Sequence, residues 1–202
     1  MVGNEDESSW DGASTQASLE WILERNADPE SVFYGRVDTR NIGAAGHSQG
    51  GVGAISAVTA QPGAGLYKAL YTASAPSSFW SDSRRLGWAY DLSGLEIPYL
   101  MVAGTGTFDA GTTEDPLAEE GQGITPLWSL RENYAAVPET TPKIMARRVG
   151  TDHGEMLAKA DAAMTAWFCW QLQGDEQAAQ MFCGPEAELL QNANWQDVQK
   201  NF

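Results

Sequence analysis

The chain has 202 residues, of which 43% are apolar and 10% aromatic, a composition typical of a folded globular protein. Its formal net charge is −15, so it would repel phosphate backbones and anionic membranes, and we expect no nucleic-acid partner. No apolar run approaches the length of a membrane span, and the length predicts a single domain over residues 1–202.

Predicted helices and strands alternate along the chain after a polar N-terminal loop. Hydrophobic periodicity predicts helices at 14–26, 50–60, 125–137 and 157–172. Short apolar runs predict strands at 41–46, 67–76, 97–106 and 143–150. This alternation is typical of a parallel sheet with right-handed crossovers.

A glycine-flanked serine directly follows the first predicted strand. The sequence from Gly46 to Gly50 fits the pattern G-x-S-x-G, in which Ser48 would occupy a strained strand-to-helix turn with its hydroxyl clear of the backbone. We expect both glycines to be required, because a Cβ at either position would crowd the turn. The alternative is a small residue in a glycine-rich bend.

A serine nucleophile needs a base, and the chain has two histidines. His47 lies inside the turn, and we expect its side chain to point toward the sheet and away from the hydroxyl of Ser48. His153 follows the fourth predicted strand, at the strand end where sites in parallel sheets lie. We therefore predict that His153 is the base, with a solvated loop histidine as the alternative.

The base in turn needs a carboxylate, and the loop after the third strand offers three. Asp109 comes soonest after the strand and is the predicted partner, with Asp115 as the alternative. Glu114 is interpreted as part of a solvated acidic loop. Asp152, next to the histidine in sequence, is expected to face away from it.

Four segments together resemble the C-terminal two-thirds of a bacterial α/β-hydrolase: DTRNIGAAGHSQGG, IPYLMVAGTGTFD, GTDHGEM and AWFCWQLQGDEQAAQMF. The chain is most similar to cutinase, polyester-hydrolase and dienelactone-hydrolase-like esterases. The resemblance implies a parallel sheet flanked by helices and a catalytic triad of Ser48, Asp109 and His153. It also implies that the backbone N–H of Gln49 is one oxyanion donor, and that neither cofactor nor metal is needed. It favours a secreted or extracellular location over the cytoplasm.

The resemblance also implies further strands. Such hydrolases have about eight strands, and the last four are recognisable here. We therefore expect an upstream polypeptide segment to complete the sheet beside the strand at 41–46 and to supply the second oxyanion donor.

Two cysteines, Cys169 and Cys183, are too few for a zinc cluster made of cysteine alone. Cys183 resembles a cutinase cysteine, but its usual partner near the C-terminus is absent and Cys169 would have to substitute. A disulfide and two buried thiols therefore both stay open.

Two aromatic residues follow the second predicted strand. The resemblance implies that Trp80, with Phe79, contacts the acyl part of a substrate; packing in the core or a lid is the alternative. The short connection to the third strand favours an open cleft for bulky or polymeric esters. The sequence thus predicts a serine carboxylic-ester hydrolase, with an acyltransferase and a non-catalytic scaffold of the same fold as alternatives.

Overall fold

A five-stranded sheet forms the centre of the structure, a computed structural model that describes residues 2–3, 9–81 and 86–202. The strands lie in chain order: β1 (Ile42–His47), β2 (Tyr67–Ala73), β3 (Tyr99–Gly104), β4 (Lys143–Arg148) and β5 (Trp195–Lys200). The first four are parallel and β5 is antiparallel to β4. The predicted parallel sheet is therefore present, with one further strand that the sequence did not predict.

Helices cover both faces of this sheet. The longer ones are α1 (Ala13–Ala27), α2 (Gln49–Thr59), α5 (Leu127–Ala136) and α7 (Asp161–Gln173). Single turns form α3 (Ser78–Ser81), α4 (Thr107–Ala110), α6 (Met156–Lys159), α8 (Glu176–Ala179) and α9 (Glu188–Gln191), and 3₁₀ turns span Ser9–Asp11, Ala64–Leu66 and His153–Glu155. No helix in these described ranges is long and apolar enough to cross a membrane.

The core has two halves, one on each face of the sheet. Residues of α1, α2 and α5 pack on one face, and residues of α6, α7 and α9 pack on the other. Strand β3 is buried along its whole length, as an apolar strand covered on both faces should be. On the second face Trp167 of α7 is fully buried, and its indole N–H donates to the carbonyl of Leu70 at 3.0 Å.

The helix predicted at 157–172 is divided in two. Ala160 has φ −114° and ψ 4° and separates α6, which ends at Lys159, from α7, which begins at Asp161. Ala160 and Trp167 in this segment are inaccessible, while Met164 and Phe168 are partly buried and pack against the core.

Strand β5 could not be recognised from its composition. Its sequence, WQDVQK, is polar, and only Trp195 is buried. Its position depends on pairing with β4 and on Arg147, whose guanidinium binds Asp197 through Nε at 2.9 Å and Nη2 at 2.8 Å. Tertiary contacts therefore define this strand more than local propensity does.

Strand β1 is at the edge of the sheet in the part of the chain that the structure describes, where it pairs with β2 alone. A trough of about 490 Å³ runs along this edge. Its lining is mostly apolar and includes Leu19, Ile22, Phe33, Val37, Tyr67 and Leu172.

Candidate active site

Ser48 occupies a strained turn between β1 and α2. Its backbone has φ 55° and ψ −130°, a conformation that costs a non-glycine residue roughly 1–3 kcal/mol. A Cβ on Gly46 would overlap the backbone of Gly50, and one on Gly51 would lie 2.9 Å from the Cβ of Ala75. These two glycines let α2 start close to the strands. The expectation for Gly50 is wrong, because a Cβ there would meet nothing within 4 Å.

Ser48, His153 and Asp109 form one hydrogen-bonded chain. The Oγ of Ser48 lies 2.9 Å from Nε2 of His153, and Nδ1 of His153 lies 3.0 Å from Oδ1 of Asp109. An ionised carboxylate can only accept, so Nδ1 carries a proton. In the neutral ring Nε2 then accepts from the serine hydroxyl. The arrangement can therefore remove the proton from Ser48.

The carboxylate of Asp109 is fully buried and held by several donors. Its Oδ2 accepts from the Oγ of Ser74 at 2.6 Å and from the backbone N–H of Gly104, while Oδ1 faces His153. Such contacts replace the hydration that a buried charge loses.

The other acids of the same loop contact different partners. Asp115 is exposed and accepts from the backbone N–H of Leu117 at 2.9 Å, within its own loop. Glu114 lies 4.0 Å from the guanidinium of Arg147. Since Asp109 occupies Nδ1 of His153, the alternative partner Asp115 does not take that place.

Asp152 binds the backbone around His153. Its carboxylate accepts from the N–H groups of His153 and Asp109, each at 2.9 Å, and of Phe108 at 3.3 Å. Burial opposes ionisation, but these backbone donors outweigh it and hold the pKa of Asp152 below its usual 3.8. Asp152 thus joins the loop after β3 to the loop after β4. A Cβ on Gly106 would overlap this side chain.

His47 contacts His153, and this contact was not predicted from the sequence. Its Nε2–H donates to the backbone carbonyl of His153 at 2.9 Å, and the two ring centroids are 4.6 Å apart. Burial is the main reason that the pKa of His47 lies below its ordinary value. A neutral His47 places no positive charge beside the ring of His153. Only its position next to Ser48 could have indicated this contact.

The predicted substrate-contact residues Phe79 and Trp80 contact each other and the segment at Gly123, and no contact described here joins them to Ser48, Asp109 or His153. Trp80 is half-buried, its indole N–H donates to the carbonyl of Gly123 at 2.7 Å, and its ring meets that of Phe79 edge to face at 5.0 Å. Sequence analysis missed Phe108, which is 62% exposed and stands edge-on to His153 at 5.3 Å. Its position directly before Asp109 was the available signal.

Gln49 is the first residue of α2, directly after Ser48. The N-terminus of a helix carries a partial positive charge, which favours a negative charge nearby. The oxyanion role of Gln49 stays a prediction.

The two cysteines do not form a disulfide. Cys169 and Cys183 are both free; Cys183 is exposed and Cys169 half-buried, so neither the disulfide nor a pair of buried thiols is present. Among the described residues, no group of three or more His, Cys, Asp or Glu side chains could hold a metal ion.

No protein-family model matches the chain, and a search of curated proteins found no matching relative.

We predict a pH-dependent stabilisation by Asp152. Because its pKa is lowered in the folded chain, the stabilisation is complete above about pH 4 and is lost as the pH falls through the folded value. Asp152→Asn cannot accept all three N–H groups, so its Tm should be lower than that of the wild type at neutral pH. The difference should shrink under acidic conditions. Thermal unfolding by circular dichroism measures both.

Asp115→Asn is the matched control, because this carboxylate serves only its own loop. It should leave Tm nearly unchanged at every pH. A difference between wild type and Asp152→Asn that stays constant or grows in acid would contradict the assignment.

Proposed function

We propose that this chain is a serine carboxylic-ester hydrolase of the α/β-hydrolase type that works through an acyl-enzyme. The observation that carries the proposal is the hydrogen-bonded chain from Ser48 through His153 to Asp109. Its strained serine, its tautomer and its buried carboxylate match the three roles that acyl transfer requires. The chain order of serine, aspartate and histidine is that of α/β-hydrolases.

In the first half-reaction Ser48 attacks the ester carbonyl carbon while Nε2 of His153 takes the hydroxyl proton. The imidazolium is stabilised by Asp109, whose Oδ1 already accepts from Nδ1. Collapse of the tetrahedral intermediate breaks the bond to the alcohol, which leaves with the proton from His153. In the second half-reaction water takes the place of the alcohol, the acid is released and Ser48 regains its proton.

The backbone N–H of Gln49 is proposed as one donor to the oxyanion. This proposal is supported by the position of Gln49, which directly follows Ser48 and begins α2. One such donor contributes on the order of 3 kcal/mol to transition-state stabilisation. The other donor is proposed to come from an additional segment.

That segment is proposed to be an upstream stretch of polypeptide that pairs with β1 on the side where no strand of the described residues lies. The edge runs beside an apolar trough, and unpaired apolar edges favour aggregation. A strand laid here would cover the trough and extend the sheet beyond the serine turn.

Bulky or polymeric esters are the proposed substrates. Phe79, Trp80 and Phe108 place aromatic surface near this end of the sheet, and Phe108 is largely exposed beside His153. Aromatic side chains offer large apolar contact areas to an acyl group.

Ser48→Ala should abolish hydrolysis of p-nitrophenyl acetate, with a loss of about 10⁴-fold or more in turnover, while circular dichroism remains unchanged. A fluorophosphonate probe should label the wild type and not the variant, which excludes the scaffold alternative. Product analysis with added alcohol distinguishes hydrolysis from acyl transfer. Near-normal turnover of Ser48→Ala would refute the proposal.

Exchange of the two candidate acids provides a second test. Asp109→Asn should lower kcat by up to about 10⁴-fold, because an amide cannot hold the required tautomer of His153. Asp115→Asn should leave kcat close to that of the wild type. The opposite pattern would show that the acid has been assigned wrongly.

The proposed pairing of an upstream segment with β1 predicts how residues 1–202 behave when they are expressed alone. They should aggregate or hydrolyse esters weakly, and co-expression with the upstream segment should restore solubility and rate. Size-exclusion chromatography with an ester assay measures both. A soluble, monomeric and fully active 202-residue chain would overturn this part of the proposal.

A further inference from the structure

Ser74 follows β2 directly and has an unusual backbone. Its φ is 52°, in the left-handed region that favours glycine, and the residue is fully buried. Its N–H donates to the carbonyl of Val102 at 2.8 Å, which ties it to β3. A non-glycine residue in this conformation persists only where its surroundings enforce it, and such positions concentrate at functional sites.

The side chain of Ser74 reaches the acid of the candidate triad. Its Oγ lies 2.6 Å from Oδ2 of Asp109, so the hydroxyl donates to the carboxylate oxygen that does not face His153. A hydrogen bond to a charged acceptor is stronger than one between neutral groups. The hydroxyl is therefore committed to one carboxylate oxygen.

A second donor reaches the same oxygen from the neighbouring strand. The backbone N–H of Gly104, at the end of β3, also donates to Oδ2 of Asp109. One donor would let the carboxylate turn about that contact, whereas two donors from adjacent strands fix its plane. Asp152 restrains the backbone N–H of Asp109 but does not contact its carboxylate in any hydrogen bond described above.

We propose that Ser74 is a positioning residue, whose hydroxyl holds the Asp109 carboxylate in the plane that keeps Oδ1 on Nδ1 of His153. The left-handed backbone is the device that points a side chain at the end of β2 toward the acid. This inference rests on the proposed hydrolase function, since it assigns a support to the same triad.

Two substitutions separate the hydroxyl from the backbone. Ser74→Ala removes the hydroxyl and keeps the unfavourable φ, whereas Ser74→Gly removes the hydroxyl and relieves it. Thr72→Val is the matched control, because Thr72 is an equally buried hydroxyl on β2 that binds the hydroxyl of Tyr99 at 2.7 Å. Among the described residues, it has no hydrogen bond to the triad.

Two readouts are needed: kcat and KM for a soluble ester, and the far-downfield NMR resonance of the Nδ1 proton of His153. His153→Gln assigns that resonance. Both Ser74 variants should lose about tenfold in kcat with KM nearly unchanged, the order of effect expected when a supporting hydrogen bond to a reacting group is removed. Their Nδ1 resonance should shift or broaden, and Thr72→Val should match the wild type in both readouts.

A purely structural role gives a different result. If Ser74→Gly keeps the wild-type kcat and the wild-type resonance, Ser74 does not position the acid and the inference is overturned. If Ser74→Ala does not fold, Ser74→Gly decides alone. If the wild type hydrolyses no ester, the proposed function fails, while the resonance still tests the link from Ser74 to His153.

Discussion

The buried carboxylate of Asp109 is the constraint on which the arrangement of the strand ends depends. A charge without access to water must be hydrogen-bonded, and its partners here come from three neighbouring strand ends. Ser74 follows β2, Gly104 ends β3, and His153 follows β4. The relative positions of three strands are thus coupled to the position of one acid, and through His153 to that of Ser48.

Two residues at the carboxyl ends of the strands have unfavourable backbone conformations. Ser48 and Ser74 both have φ near +50°, at the ends of adjacent strands β1 and β2. Each conformation costs roughly 1–3 kcal/mol and persists because the surrounding structure enforces it. Asp152 adds a further restraint by binding three N–H groups of two loops. Strain and restraint together fix the geometry of the candidate site, and the proposed reaction would then need little reorganisation of the protein.

Local patterns in the sequence predicted the features that depend on few residues. The four parallel strands are short apolar runs, and Ser48, Asp109 and His153 each follow a strand in a parallel sheet, so their convergence could be expected. Strand β5 could not be recognised, because a polar sequence becomes a strand here through pairing with β4. The role of Ser74 was equally inaccessible, because its positive φ depends on tertiary packing and a serine at a strand end has no distinctive signal.

His47 shows how the neighbours of a reacting group limit its chemistry. The ring of His47 lies against that of His153, and two imidazolium ions at this separation would repel each other. Burial lowers the pKa of His47, and its Nε2–H is bound to the carbonyl of His153. The carboxylate of Asp109 has a hydrogen bond to the ring of His153. In the proposed reaction, a proton taken from Ser48 would be stabilised on His153, the ring that would return it to the leaving group.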